Sequence, residues 1–564
     1  MKKKHLLKKS TALCTAALLG ITAAPASAFA ADSYASAEKE AWAKSIKDFA
    51  SVYGKSMEQY PDAMAGSHAD LTFTLNDSGR SLLGFLAPFD VSWLKDVSMD
   101  MDVSIKDSLQ GASIKVLLND SQVCTVEYYL DADSQMMYMR IPELSEKYFK
   151  IDMAQAVEEE TSAMEEQIDG AIDDVDTSSF AEGYAKGFNV SLSLTSDFAE
   201  LMPEASVVEE LLNKYTTLIF DNIQDGAESA ADTLTAEGIS QECTVYEGQI
   251  TEATAVKLAT DVLSAVKDDK EIEGILETWE AKIPDSAGLY DGFLSAVTGA
   301  LSSLKEEYAD YEASDDPSTA FLSRIWVAED GSISGRQISL TEDGEETPIL
   351  TWKMPKSGSD YGYSLSISAD EEDMELSGSG QIENDILNGT YQLSVDSVPY
   401  VSIAVSDYDT VAAKEGNFKG SYTVSLVPSE EDDSMAMLQN FALLISADSE
   451  GTASDIDISV TSAGSSLGTL RMTSDLGKGV DIPDLNTLKD IYDVNNEDDM
   501  NEFASSLDLT AISENLKNAG MPEDVLNQML YGEYEEDSDG YYEESDWEED
   551  DETAYNTEET DDAA

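Results

Sequence analysis

WLKDVSMDMDVSIKDSLQGASIKVLLNDSQVCTVEYYLDADSQMMYMRIPELSEKYFKID, residues 93–152, alternates apolar and polar side chains in runs broken by turn formers. Side chains on a strand point to opposite faces in turn, so this period of two marks strands with one buried face. In residues 97–105 the apolar set is Val97, Met99, Met101, Val103 and Ile105, with Ser98, Asp100, Asp102 and Ser104 opposite. The breaks fall at Gln110-Gly111, Asn119-Asp120 and Asp131-Ala132-Asp133, residue types that tolerate tight turns. The stretch reads as an antiparallel meander.

Working outward, a second meander begins at Ala320. FLSRIWVAED, SISGRQISLTED, YGYSLSISAD, LNGTYQLSVD and FKGSYTVSLV repeat the alternation between Asp-Gly, Asn-Gly and Glu-Gly turns. This predicts roughly ten further strands. Helices supply cover for such a sheet. Tyr34 to Tyr60 carries Trp42, Ile46, Phe49, Tyr53 and Met57 three or four residues apart, the spacing of one helix face. Pro203–Ile223, a helix capped by Thr251, and two more through Trp279 and Leu301 follow the same pattern. The reading is α+β: a long antiparallel meander, open and curved or half-barrel in form, covered by amphipathic helices.

The expected organisation is a leader at 1–30, a helix and meander unit with helical insertions at 31–315, and a meander at 316–484. Short helices follow at 485–530, then a disordered acidic tail at 531–564. In the leader a basic segment precedes an apolar one and Ala28-Phe29-Ala30, a small-residue cleavage pattern. Export is expected, to the extracellular space or the cell wall. Cys14 lies too early, after Leu13, for lipid attachment, and no later run reaches the roughly 20 apolar residues of a membrane span. The tail holds seventeen acidic residues and no basic one, which favours solvation over packing.

Charge excludes one class of partner. The net charge of -81 becomes -86 when the five leader lysines leave, and such a chain repels nucleic-acid backbones. Chemistry is sparse. His68 is the one imidazole outside the leader, and no nucleophile motif accompanies it, so no catalytic residue is assigned. A zinc site built on histidine or cysteine is not expected either, and no cofactor is called for. Asp493, Asn495, Glu497, Asp499 and Asn501 alternate like a calcium loop. That pattern fails at Asp498, where glycine belongs, and at Ala504, where an acidic ligand belongs. Cys124 and Cys243 are compatible with a disulfide or with two small apolar side chains.

The densest apolar run outside the leader supplies the candidate site. Leu82, Leu83, Phe85, Leu86, Phe89 and Trp93 read either as the mouth of an apolar ligand site or as a cap on the core. Residues 131–152 and the strand that leads into them, Tyr128-Tyr129-Leu130-Asp131, with Met137-Tyr138-Met139-Arg140 and IPELSEKYF, resemble a family of exported Firmicutes proteins. A helix on a long meander with Asp-Gly turns more broadly resembles the unclosed half-barrel of the LolA and LppX lipoprotein-carrier superfamily. That resemblance implies a concave apolar face that carries lipid or acyl chains. The expected function is therefore an exported, non-enzymatic protein that binds an apolar small molecule, a lipid or a cell-envelope protein. The alternatives are an interaction protein acting through its acidic tail and, further off, a secreted hydrolase.

Overall fold

A computed structural model describes residues 32–86, 90–156, 200–226, 229–283, 286–308, 313–369, 372–427, 440–451 and 453–531. The leader, most of the acidic segment read as a helical insertion, the strand read at 189–196, Phe89 and the tail from residue 532 lie outside the described residues.

The N-terminal helix, Tyr34–Ala65, leads into six strands. These are β1 (Ser67–Leu75), β2 (Asp96–Lys106), β3 (Leu109–Leu118), β4 (Ser121–Asp131), β5 (Met136–Arg140) and β6 (Tyr148–Asp152). After the helix Ala205–Asp221 come β7 (Gln224–Asp225), β8 (Ala230–Ala236) and β9 (Ile239–Thr251). Three helices, Glu252–Lys267, Lys270–Lys282 and Leu289–Glu307, separate β9 from the long meander. Its strands are β10 (Ala320–Ala328), β11 (Ile333–Glu342), β12 (Glu345–Lys353), β13 (Lys356–Ser357), β14 (Asp360–Ala369) and β15 (Glu372–Glu383). It continues as β16 (Ile386–Val395), β17 (Val398–Asp409), β18 (Lys419–Leu426), β19 (Phe441–Glu450), β20 (Ala453–Ser462) and β21 (Ser465–Leu476). β22 (Ile491–Asp493) and helices Glu497–Ser506, Thr510–Asn518 and Glu523–Tyr531 end the described chain.

All the strands belong to one open sheet. From β8 each strand pairs antiparallel with the next through to β21, with the two-residue β13 continuing β12 alongside β14. β21 then pairs with β1, and the first meander carries the sheet on to β6. Only β22 breaks the rule, lying parallel to β6. The division expected at residue 316 therefore separates no sheet, because β9 and β10 pair from Thr251↔Ala320 to Cys243↔Ala328.

The N-terminal helix explains the curvature. It begins against β9, where Tyr34 lies over Gly248, and it ends beside β1. Thirty-two residues make a helix ~48 Å long. Twelve strand-to-strand steps separate β9 from β1, and at ~4.8 Å each a flat sheet would span ~58 Å. Even fully straight, the helix is shorter than the flat span, so the sheet bows between its ends. Along the way Val52 touches Gly416 in the connection between β17 and β18.

Tyr34, Ala37 and Ala41 recur on one face of that helix and bury against Ile250, Ile325, Val327, Ile338 and Trp352. Phe220 from the adjacent helix completes this cluster, stacked edge-on to Tyr34 at 6.3 Å. Strand β10 is buried on both sides, since Trp326 and Ala328 meet Leu234 and Cys243 on the opposite face. There the sheet folds back so closely that a Cβ on Gly362 would lie 2.1 Å from the carbonyl oxygen of Ala236. At the far end, Leu516, Val525 and Leu526 of the last two helices and Met521 between them cover Val123 of β4.

Candidate functional site

Register places one apolar face across almost the whole sheet. Residues directly opposite on neighbouring strands share a face. One row therefore runs Trp352, Leu365, Leu376, Leu393, Val401, Leu426 from β12 to β18. Another runs Tyr422, Ile445, Ile458, Leu470, Phe73, Val97, Leu118 from β18 to β3. The intervening positions on each strand point the other way and read Ser366, Glu375, Ser394, Ser402, Thr423 or Asp457, Arg471, Thr72, Ser98. The alternation seen in residues 97–105 is thus one segment of a face that extends across the molecule.

This face is covered at its first end and open beyond it. From β15 to β21 and in β1 and β2, Val405 and Leu75 are the only fully buried apolar side chains among the described residues. Phe73, Met99, Ile367, Met374, Val398 and Val460 are each more than a third exposed. A contiguous apolar surface of this kind is uncommon on a protein that binds nothing. Near the covered end Tyr361, Tyr363 and Tyr391 cluster, with Tyr363 edge-on to Tyr391 at 5.7 Å. The strand glycines Gly378, Gly380 and Gly389 make room for them, since a Cβ on any of the three would press on Tyr361 or Tyr391. Burial and the hydroxyl of Tyr361 push the phenol of Tyr391 far above its ordinary pKa.

A buried ion pair fixes the helix to the covered end. Arg336 of β11 occupies an apolar-face position between Ile325 and Trp352. Its guanidinium donates two bonds to Glu38 of the helix, one of them 2.8 Å from Nη2 to Oε2. Glu38 is 0% and Arg336 3% exposed. Burial opposes the charge on Arg336, but the carboxylate of Glu38 outweighs it and holds the guanidinium pKa above normal. Tyr34 adds a 2.7 Å bond to Ser323 in the same wall.

The residues singled out from sequence do not form one site. They divide between two environments. Asp77–Leu86 is a helix at the ends of β1 and β21, and it turns Phe85 (87% exposed) and Leu82 (46%) to solvent. Leu83 is half-buried. The side chain of Leu86, like Phe89, lies outside the described residues. Trp93, with Leu118 and Ile512, packs against the cluster that Val123 forms with Leu516, Met521, Val525 and Leu526, so it helps anchor the C-terminal helices. Asn119 and Asn515 tie the same contact, donating to Ala519 O at 2.6 Å and Val123 O at 3.0 Å.

Cys124 and Cys243 are free. They sit on β4 and β9, near opposite ends of the sheet order, which rules out the disulfide considered from sequence. Both serve as small apolar side chains, and burial pushes the Cys243 thiol up to about 11. The alternating acidic residues from Asp493 form a strand end and a helix cap instead of an ion loop. Asn496 Oδ1 accepts from Asp498 N at 3.0 Å, and Asp499 Oδ2 from Asp493 N at 2.9 Å.

His68 stands on the opposite, polar face. Strand β1 begins at Ser67 and places the imidazole within the ladder. Its Nδ1 lies 2.9 Å from Asp102 and its Nε2 3.2 Å from Asp70. The bond to Asp102 is the main cause of its raised pKa. Compared with family models, with curated proteins and with solved structures, the chain matches none.

Proposed function

We propose that the chain is an exported, non-enzymatic binding protein that holds an apolar, lipid-like ligand against the apolar face of its curved sheet. The observation that carries this reading is the row structure of that face. It is continuous from β12 to β3, yet from β15 to β2 its described aliphatic side chains, Val405 and Leu75 excepted, stay partly exposed instead of closing into a core. Apolar surface left open in this way has a standing free-energy cost of about 25 cal/mol per Å² that a hydrocarbon ligand would remove. The leader supports export, and the resemblance to lipoprotein carriers supports an acyl ligand.

Native mass spectrometry with lipid extraction, on protein purified from its own host, tests this. A co-purifying acyl species should be lost in Ile445→Asp and Met472→Asp, which place charge in the middle of the apolar face. It should persist in Phe85→Asp, where the side chain is already in water. An empty protein that also fails to bind a fluorescent fatty acid would refute the reading.

A further inference from the structure

We propose that the polar face of the sheet carries a divalent transition-metal site in which His68, Asp100 and Asp102 are the ligands and Asp70 orients the imidazole. The site is independent of the apolar face. The register β1–β2 sets His68 opposite Asp102 and Asp70 opposite Asp100, so four side chains form a square on one surface. One ligand atom from each of His68, Asp100 and Asp102 lies within 4.8 Å of the others. Among the described residues no other group of histidine, cysteine, aspartate and glutamate meets that condition.

The imidazole sets this group apart from the many carboxylates of the chain. Both of its nitrogens are engaged, Nδ1 toward Asp102 at 2.9 Å and Nε2 toward Asp70 at 3.2 Å. Nitrogen and oxygen ligands held at ~2.0–2.2 Å from one ion lie ~3.0–3.4 Å apart, close to the separation of Nδ1 and Asp102. An ion entering between them leaves Nε2–H donating to Asp70. That is the usual way a carboxylate orients a metal-bound histidine. The frame is stiff, because β21 and β3 flank the two strands in unbroken register.

Neighbouring charges define the competition. Lys115 of β3 holds both oxygens of Asp100 at 3.2 Å, and ligation by Asp100 displaces it. On β21, Asp475 faces His68 and is held by Lys478 at 2.6 Å, while Thr473 lies 3.4 Å from Asp70. One imidazole with two carboxylates suits a borderline ion such as Zn²⁺ better than Ca²⁺, which favours all-oxygen shells.

The test is calorimetric titration of the full chain with ZnCl₂ in excess Ca²⁺, which saturates loose binding to the scattered carboxylates. One equivalent of Zn²⁺ should bind. Uptake should be lost in His68→Ala, weakened at least ~100-fold in Asp102→Asn, and weakened ~10-fold in Asp70→Asn, with unchanged circular dichroism. Equal uptake by wild type and by His68→Ala, or no uptake by wild type under calcium, would overturn the proposal. The near-isosteric Asp102→Asn variant decides the matter if His68→Ala does not fold.

Discussion

Removing one member of the Glu38–Arg336 pair should destabilise the protein far more than removing both. In Arg336→Met the carboxylate of Glu38, which is 0% exposed, is left among Ile325, Trp352 and the helix with no cation. Stranding one buried charge in this way costs ~3–5 kcal/mol. That amounts to roughly two to four powers of ten in the folding equilibrium. The double variant Glu38→Leu/Arg336→Met strands nothing and fills the same volume with apolar atoms, so its stability should lie within ~1 kcal/mol of wild type. With each single variant costing ~3–5 kcal/mol and the double variant close to none, the cycle gives a coupling of roughly 6–10 kcal/mol between helix and sheet. Urea unfolding followed by tryptophan fluorescence provides the measurement, since Trp42 and Trp352 both pack in this cluster. Amide exchange should localise the loss in the single variants to Tyr34–Ala50, the part of the helix that the pair secures. Single variants costing under ~1 kcal/mol, or a double variant costing the sum of the singles, would refute the argument.

Three further predictions concern other parts of the frame. Asp269 caps the helix Lys270–Lys282 and accepts from Lys214 Nζ and Tyr215 Oη, both at 2.6 Å. Burial resists its ionisation, but Lys214, Tyr215 and the amides of Ile272 and Glu271 outweigh that and hold its pKa below normal. A carboxylate with a lowered folded pKa stabilises fully above the unfolded value near ~3.9 and loses that stabilisation as pH falls through the folded value. Asp269→Ala should therefore cost ~2–3 kcal/mol at pH 7, from the lost cap and the unpaired Tyr215 hydroxyl. The gap should narrow toward pH 3 in denaturant titrations, and a gap independent of pH would contradict the assignment. Trp93→Ala should cost ~2–3 kcal/mol and speed proteolysis of residues 510–531, whereas Phe85→Ala should stay within ~0.5 kcal/mol by thermal unfolding. Equal effects would show that the run from Leu82 to Trp93 is one unit after all. Gly362→Ala should cost ~2–3 kcal/mol by forcing β14 off β8, and a neutral melting temperature would mean the close approach to Ala236 does not exist.

The strands were legible because alternation is a local signal, and it persisted from Val97–Ile105 through the segments after Ala320. Their order was not. Nothing within Ser67–Leu75 or Ser465–Leu476 says that these strands pair, since the partners lie about four hundred positions apart and no turn joins them. The same gap hid the His68 square. β1 and β2 are joined through a helix and a loop, so no hairpin length set the register that brings Asp102 opposite His68. The partner of Trp93 was hidden for a related reason: a dense apolar run shows that cover is needed, and the cover, Ile512 to Leu526, comes from the far end of the chain. Arg336 did leave a signal. It interrupts the apolar positions of its strand, and a charge there demands a buried partner, although only the fold could name Glu38. What local sequence did fix, the face each side chain takes, is what separates the two proposed activities. One register writes an apolar surface on one side of β1 and β2 and a carboxylate and imidazole grid on the other, so a substitution on either face leaves the other intact.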